Sequence, residues 1–299
     1  MPNKDWAVEL RGLTKTYGAC KAVDNVSLQL APNKIYGLLG RNGAGKTTIL
    51  NILSARLFAS SGEANVFGRP AYENIDVLKQ ICLMEEKGFY DTAVRVHQVL
   101  TLAAGLYPNW DAAYARELVK LFELDPRKRY KQLSRGMESA LGLIVGLASR
   151  APLTIFDEPS LGLDAVMRER FYDAVLDDFM AHPRTIIIST HLIDEVSRLF
   201  EDVVIIDGGK VLLHTEAAAL REKAFFISGR EDAVLAAAKD AVVMDTESFG
   251  GTKILSVLAK DGLRAAEGVD VQPIPMQRLF VQLINHKNHE ALRKGGVLK

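Results

Sequence analysis

Residues 40–47 read Gly40-Arg41-Asn42-Gly43-Ala44-Gly45-Lys46-Thr47, which fits the pattern G-x-x-x-x-G-K-[ST]. Three glycines without Cβ atoms let backbone N–H groups turn toward phosphate oxygens that a side chain would obstruct. Lys46 supplies a point charge for β- and γ-phosphates, and Thr47 a hydroxyl suited to Mg2+. A second piece, Leu153-Thr154-Ile155-Phe156-Asp157-Glu158, is an apolar run ending in two carboxylates. A buried parallel strand delivers its C-terminal residues to the ligand edge of a sheet, which suits Asp157 to Mg2+. Glu158, one residue on, points differently and is placed to polarise an attacking water. Such a pair after a strand is commonly a solvated loop; downstream of a phosphate loop, the metal and water roles gain weight.

These groups need a particular scaffold. Residues 35–39 read as a strand entering the glycine loop, and 48–57 as a helix leaving it, whose N-terminus adds donors and a favourable dipole. Strand-like runs at 8–13 and 26–30 precede them, with a turn at Ala31-Pro32-Asn33. From about 87 to 150 the period becomes helical: Val96, Val99, Leu100 and Ala103 share one face, as do Tyr114, Leu118, Leu121 and Phe122. Strands return at 153–156, 185–189 and 203–206, separated by helical stretches at 165–180 and 192–199. This alternation predicts a mainly parallel α/β sheet with a helical insertion. After about 222 the texture changes to short strands at 225–227, 242–244, 254–258 and 269–272, with helices at 231–239 and 276–285. The expected division is therefore 1–222, with a helical subdomain at about 87–150, and an α+β unit at 223–299.

The bulk composition fits this plan. The chain of 299 residues has 37 Lys+Arg against 37 Asp+Glu, so nucleic acid is not expected as a general partner. Apolar residues make up 48% and charged residues 25%, which is ordinary for a folded globular protein. No apolar run approaches the roughly 18–20 residues that cross a bilayer. Met1-Pro2-Asn3-Lys4-Asp5-Trp6 lacks the apolar stretch of a secretory signal. Cys20 and Cys82, without any metal-ligand spacing, are expected as small buried hydrophobes in a reducing cytosol.

Several motifs, in order, make the chain resemble the nucleotide-binding subunit of ABC transporters over about residues 6–215. Tyr17 in Thr14-Lys15-Thr16-Tyr17-Gly18 resembles the aromatic that stacks on adenine. Residues 40–48, ending in Thr48, resemble the Walker A loop, and 153–158 the Walker B strand with its catalytic glutamate. Leu133-Ser134-Arg135-Gly136-Met137 is similar to the signature motif LSGGQ. Ser160-Leu161-Gly162-Leu163-Asp164 resembles the D-loop, and Ser189-Thr190-His191 ends in the switch histidine. Taken singly, Tyr17 also reads as a core aromatic, 134–136 as a helix cap with a turn, and His191 as a satisfied histidine.

The resemblance implies a P-loop NTPase core with an N-terminal antiparallel β subdomain, a helical insertion and a small C-terminal α+β domain. It implies ATP and Mg2+ between two subunits arranged head to tail. Lys46, Glu158 and His191 would be catalytic. Gly40, Asn42, Gly43, Ala44, Gly45, Lys46, Thr47, Thr48 and Tyr17 would hold ATP, joined by Asp164 and by Ser134 and Gly136 in trans. It also implies a homodimer or paired ATPase subunit docked on an integral-membrane transporter subunit, peripheral on the cytoplasmic face of the membrane. The docking surface would include the insertion after Glu86, with Lys87-Gly88-Phe89-Tyr90-Asp91.

Two departures stand out. Glu86 replaces the family's glutamine, and an anionic side chain there would respond more strongly to Mg2+, beside Thr47 and Asp157. Arg135 and Met137 replace a glycine and a glutamine, and Arg135 closes a run with Arg127, Lys128, Arg129 and Lys131. That run reads either as a solvated face or as an attractor for triphosphate on a partner subunit. Both departures, with the C-terminal extension, resemble the YtrB-like and EcsA-like bacterial exporter ATPases. The alternative, a soluble ABC ATPase of translation or DNA maintenance, fits less well. The chain has one phosphate loop where the translation type carries two, and no sustained heptads for a coiled coil.

Overall fold

The computed structural model describes residues 6–85, 93–259, 263 and 268–285. Alternating apolar and polar residues form β1 (Val8–Tyr17) and β2 (Cys20–Leu30), paired antiparallel about a turn at Gly18. Both outrun their apolar stretches, because the ladder continues as far as Tyr17 opposite Cys20. Cys20 is exposed there, against expectation, since the hairpin end lies outside the core; Cys82 is buried, and burial pushes its thiol up. β3 (Ile35–Leu39) is buried throughout, as a central parallel strand requires. α1 (Lys46–Leu53) begins directly after the glycine loop and ends before 57, because Ala55 takes a left-handed φ of +55°. β4 (Ser61–Val66), β5 (Arg69–Pro70), α2 (Ile75–Leu78) and β6 (Ile81–Met84) follow.

The helical layer consists of α3 (Val96–Leu106), α4 (Ala112–Leu121) and α5 (Arg135–Ala148). α3 buries Val96, Val99 and Ala103 on one face, as its period predicts. α4 is capped by Asp111, whose Oδ1 accepts from the Tyr114 N–H at 2.9 Å. It buries Ala115 and Leu118, but Leu121 is 38% exposed and Phe122, just past the helix, turns inward instead.

β7 (Leu153–Asp157), α6 (Ala165–Ala181), β8 (Thr185–Thr190), α7 (Ile193–Val196), β9 (Asp202–Asp207), β10 (Lys210–Glu216) and α8 (Ala217–Arg221) complete the nucleotide-domain pattern. The helix expected over 192–199 shrinks to the single turn of α7. The central sheet has the order β10-β9-β3-β8-β7-β6, with only the β9–β10 pair antiparallel. A second sheet, β2-β1-β4-β5, is antiparallel. Asp178 on α6, nearly fully buried, is held by Arg150 and by Arg184 at 2.6 Å. Arg150 also reaches Asp111 at 3.2 Å, so one carboxylate cluster ties the helical layer to the sheet.

β11 (Ala224–Gly229), α9 (Glu231–Ala237), β12 (Val242–Phe249), β13 (Thr252–Leu258), β14 (Val269–Pro273) and α10 (Met276–Asn285) form the C-terminal unit. Its sheet has the order β12-β13-β11-β14, all antiparallel. A small core of Ile227, Val234, Leu255 and Val257 lies under α9. The α10 face is different: Met276, Leu279, Phe280 and Leu283 join the same core as Ile193, Leu199 and Phe200. The unit is therefore packed into the main core on that side. Among the described residues, no helix is long and apolar enough to cross a membrane.

Candidate functional site

The edge where β3, β7 and β8 end gathers the groups that the sequence singled out. Lys46 opens α1 and folds over the loop that precedes it: its Nζ donates to the Gly40 carbonyl at 2.7 Å and the Arg41 carbonyl at 3.4 Å. The same Nζ lies 3.5 Å from Oε1 of Glu158, with the lysine side chain 6% exposed. Thr47 Oγ1 donates to Asp157 Oδ2 at 2.7 Å, and Ser189 Oγ donates to Asp157 Oδ1 at 2.6 Å. Both oxygens of a buried carboxylate are thereby satisfied, as a buried charge requires. Ser189 owes its place to register, since β7 and β8 pair Asp157 with Ser189. Sequence reading quoted Ser189 but gave it no role; its position one strand over from the carboxylate was the available signal.

Glu158 sits just past the end of β7 with a left-handed φ of +52°, a conformation that costs a non-glycine residue about 1–2 kcal/mol. Its N–H donates to the Ser189 carbonyl at 2.9 Å, which holds the turn. The turn brings Oε2 within 2.8 Å of His191 Nδ1, while Oε1 is buried without a hydrogen-bond donor among the described residues. One carboxylate oxygen is thus held by the histidine and the other faces Lys46, so a phosphate that draws the lysine away would leave that oxygen able to take a proton. His191 follows β8 directly and is half-buried.

The loop itself is fitted closely between neighbours. Gly45 has φ +108°, and a Cβ on it would lie 2.4 Å from the Ala22 carbonyl, so only glycine fits. That contact pins the β1–β2 hairpin, and with it Tyr17, to the loop. Gly40 lies as tightly against the Ile206 carbonyl. Asn42 and Gly43 are exposed at the rim, Thr48 is half-buried in α1, and Ala44 is buried. The Ala44 N–H donates to the Arg41 carbonyl at 3.1 Å, so that expected phosphate donor closes a turn inside the loop. Tyr17 is 50% exposed, with Lys15 Nζ 5.2 Å from its ring centroid. Beside the loop, hydrogen bonds from Lys21 and then Lys210 hold the Asp24 carboxyl below the usual range.

The remaining candidates lie elsewhere. Ser134 is exposed and caps α5, its Oγ accepting from the Met137 N–H at 3.3 Å. A Cβ on Gly136 would come 2.6 Å from the Gly162 carbonyl, and Ser139 Oγ donates to the Leu161 carbonyl at 2.7 Å. The signature-like segment and the loop after β7 are thus packed together within one chain. Asp164 caps α6, accepting from the Met167 N–H at 2.8 Å. Arg127, Arg129, Lys131 and Arg135 are exposed. Glu86 and residues 87–91 lie outside the described residues.

Comparison with known proteins places these features in one family. The model of the ABC transporter family matches residues 23–161. ABC transporter ATP-binding protein YtrB of Bacillus subtilis is 30% identical over 217 residues, covering 72% of this chain and 74% of that protein. Bacitracin transport ATP-binding protein BcrA of Bacillus licheniformis is 30% identical over 297 residues, covering 93% of this chain and 97% of its own length. A solved ATP-binding subunit of an ABC transporter shares the fold with a TM-score of 0.65 at 24% identity, over 72% of this chain and 92% of that one. Likeness that runs through the C-terminal unit as well as the phosphate loop shows that the chain belongs to the ATP-binding subunits of ABC transporters, a family of transport-coupled ATPases.

Proposed function

We propose that this chain pairs head to tail with a second ATPase subunit, a copy of itself or a homologue, and energises an exporter through a separate integral-membrane subunit. Lys46 and the loop amides hold the β- and γ-phosphates, Tyr17 meets the adenine, and Glu158 takes the proton of the attacking water. His191 orients Glu158 and faces the γ-phosphate. Ser134 and Gly136 face the nucleotide held by the partner, and Asp164 lies along the same interface. Thr47 and Asp157 are the fitting residues for Mg2+, because a hydroxyl and a carboxylate 2.7 Å apart form a hard oxygen pair beside the phosphate loop. Bound there, Mg2+ supplies charge neutralisation on the β- and γ-phosphates.

The observation that carries the reading is the connected set Lys46–Glu158–His191 alongside Thr47–Asp157–Ser189. Exposure of Ser134 and Arg135 at the start of α5 supports a site completed by a second chain. A cleft of about 320 Å³ between the sheet and the helical layer, bordered by the Arg56–Glu85 ion pair, Leu106 and Tyr107, supports docking of a short segment from a membrane subunit. That docking would hold the chain peripherally at the cytoplasmic face. Residues 1–222 then act as the ATPase domain and 223–299 as an accessory domain. The name of BcrA, a bacitracin transport protein, favours export of a compound of that kind.

The test is sedimentation of the Glu158→Gln variant with and without ATP and Mg2+. A nucleotide-dependent shift from monomer to dimer is expected. A species unchanged by nucleotide at micromolar protein would rule out the sandwich.

A further inference from the structure

α7 follows His191 after one intervening residue and is only four residues long, too short to stabilise itself. Its N-cap, Leu192, offers no capping side chain. The missing acceptor comes from the far end of the chain: the Ile193 N–H donates to Gln277 Oε1 at 2.8 Å. The contact is reciprocal, because the Gln277 N–H at the start of α10 donates to Asp194 Oδ1 at 2.8 Å. Each helix start is thus capped by a side chain of the other. Apolar packing joins the same two elements: Ile193 is fully buried in one core with Met276, Leu279 and Phe280. α10 is in turn fixed to its own sheet, where Gln282 Nε2 donates to Ser256 Oγ at 2.7 Å. A shift of α10 must therefore carry Ile193 with it. Two residues back, His191 holds Glu158 at 2.8 Å, so the shift reaches the catalytic pair.

From this geometry we infer that the C-terminal unit positions the switch histidine, with Gln277 and Asp194 as positioning residues for ATP turnover. Neither residue touches the phosphate loop, so nucleotide binding is independent of the clamp while the hydrolytic step depends on it. The inference rests on His191 acting in turnover as proposed above.

The experiment compares full-length wild type with Gln277→Met, Asp194→Ala, Asp194→Asn, Arg278→Ala and His191→Ala. It reads kcat, KM, the Kd for a non-hydrolysable ATP analogue, and Tm. Gln277→Met and Asp194→Ala should each lower kcat by roughly fivefold, the equivalent of one lost cap, with Kd unchanged and Tm lowered by no more than about 4 °C. Asp194→Asn keeps an acceptor and should retain wild-type kcat. Among the described residues Arg278→Ala breaks only the contact to Glu247, and it should do the same. Wild-type kcat in Gln277→Met overturns the inference. So does a loss of analogue affinity that parallels the fall in kcat, a fall in Tm of more than about 4 °C, or equal impairment of Asp194→Asn and Asp194→Ala. His191→Ala at wild-type rate would remove the histidine from turnover, and the inference with it. An impaired His191→Ala beside an unimpaired Gln277→Met overturns the coupling alone.

Discussion

Replacing Glu158 by glutamine separates two roles that we propose for one side chain. Oε1 lies 3.5 Å from Lys46 Nζ, in a pair whose side chains are 14% and 6% exposed. At an effective dielectric of about 20 the gross attraction is about 5 kcal/mol. Desolvation of two mostly buried charges offsets most of that, leaving a net on the order of 1 kcal/mol. An arriving phosphate must compete with Glu158 for the lysine. Glutamine has the same shape and leaves the backbone bond to the Ser189 carbonyl intact, but it carries no charge and accepts no proton. ATP affinity should therefore hold or tighten by up to about fivefold, while kcat falls by about 10²–10⁴-fold as the base is lost. Fluorescent-nucleotide titration reads the first quantity and phosphate release the second. Turnover within about tenfold of wild type would remove Glu158 from the role of base. ATP binding weakened by about tenfold or more would show that the Lys46–Glu158 pair does not oppose phosphate.

Gly136→Ala puts a Cβ 2.6 Å from the Gly162 carbonyl, so the loop after β7 must move; a loss of about 1–3 kcal/mol in urea unfolding is expected. Asp111→Ala removes the α4 cap and should cost about 1 kcal/mol at neutral pH, with Asp111→Asn nearer wild type. The Tyr114 N–H, then Arg150, hold that carboxyl below the usual range, so its contribution is present above the ordinary Asp value. It is lost as pH falls through the lowered value, and unfolding curves of wild type and Asp111→Ala should converge in acid. His214 titrates in the other sense: burial pushes its pKa below the ordinary histidine value despite Asp202 nearby. The unfolded chain then binds the proton more readily, so stability falls as pH drops below the ordinary histidine value, and His214→Gln should flatten that slope between pH about 7 and 5.

Much of the scaffold was legible because it is set by neighbours in the chain. The strand at 35–39 and the helix at 276–285 fall where the apolar pattern puts them, since a fully apolar run and a strongly one-sided face each admit one regular structure. The patterns failed where pairing or a backbone turn overrode them. β1 and β2 extend through polar residues because the hairpin ladder satisfies their backbone groups. The helix over 192–199 was overstated because α7 is a capped turn, dependent on Gln277 for its first N–H bond. The strands 61–66 and 210–216 went unread, since their alternation is weak and they form by pairing with β1 and β9.

Residue types and short spacings determined the phosphate loop, its lysine and the two carboxylates, because the chemistry of each motif is contained within a few residues; the histidine was singled out by the family resemblance. Sheet order decided what those groups touch. Thr47 meets Asp157 across 110 positions, Ser189 meets it across 32, and Gln277 caps Ile193 across 84. No local pattern encodes such partners: they depend on which strands lie side by side and on which face of α10 reaches the core. That is why the candidate catalytic residues could be named from the sequence, while the residues that hold them in place emerged only from the fold.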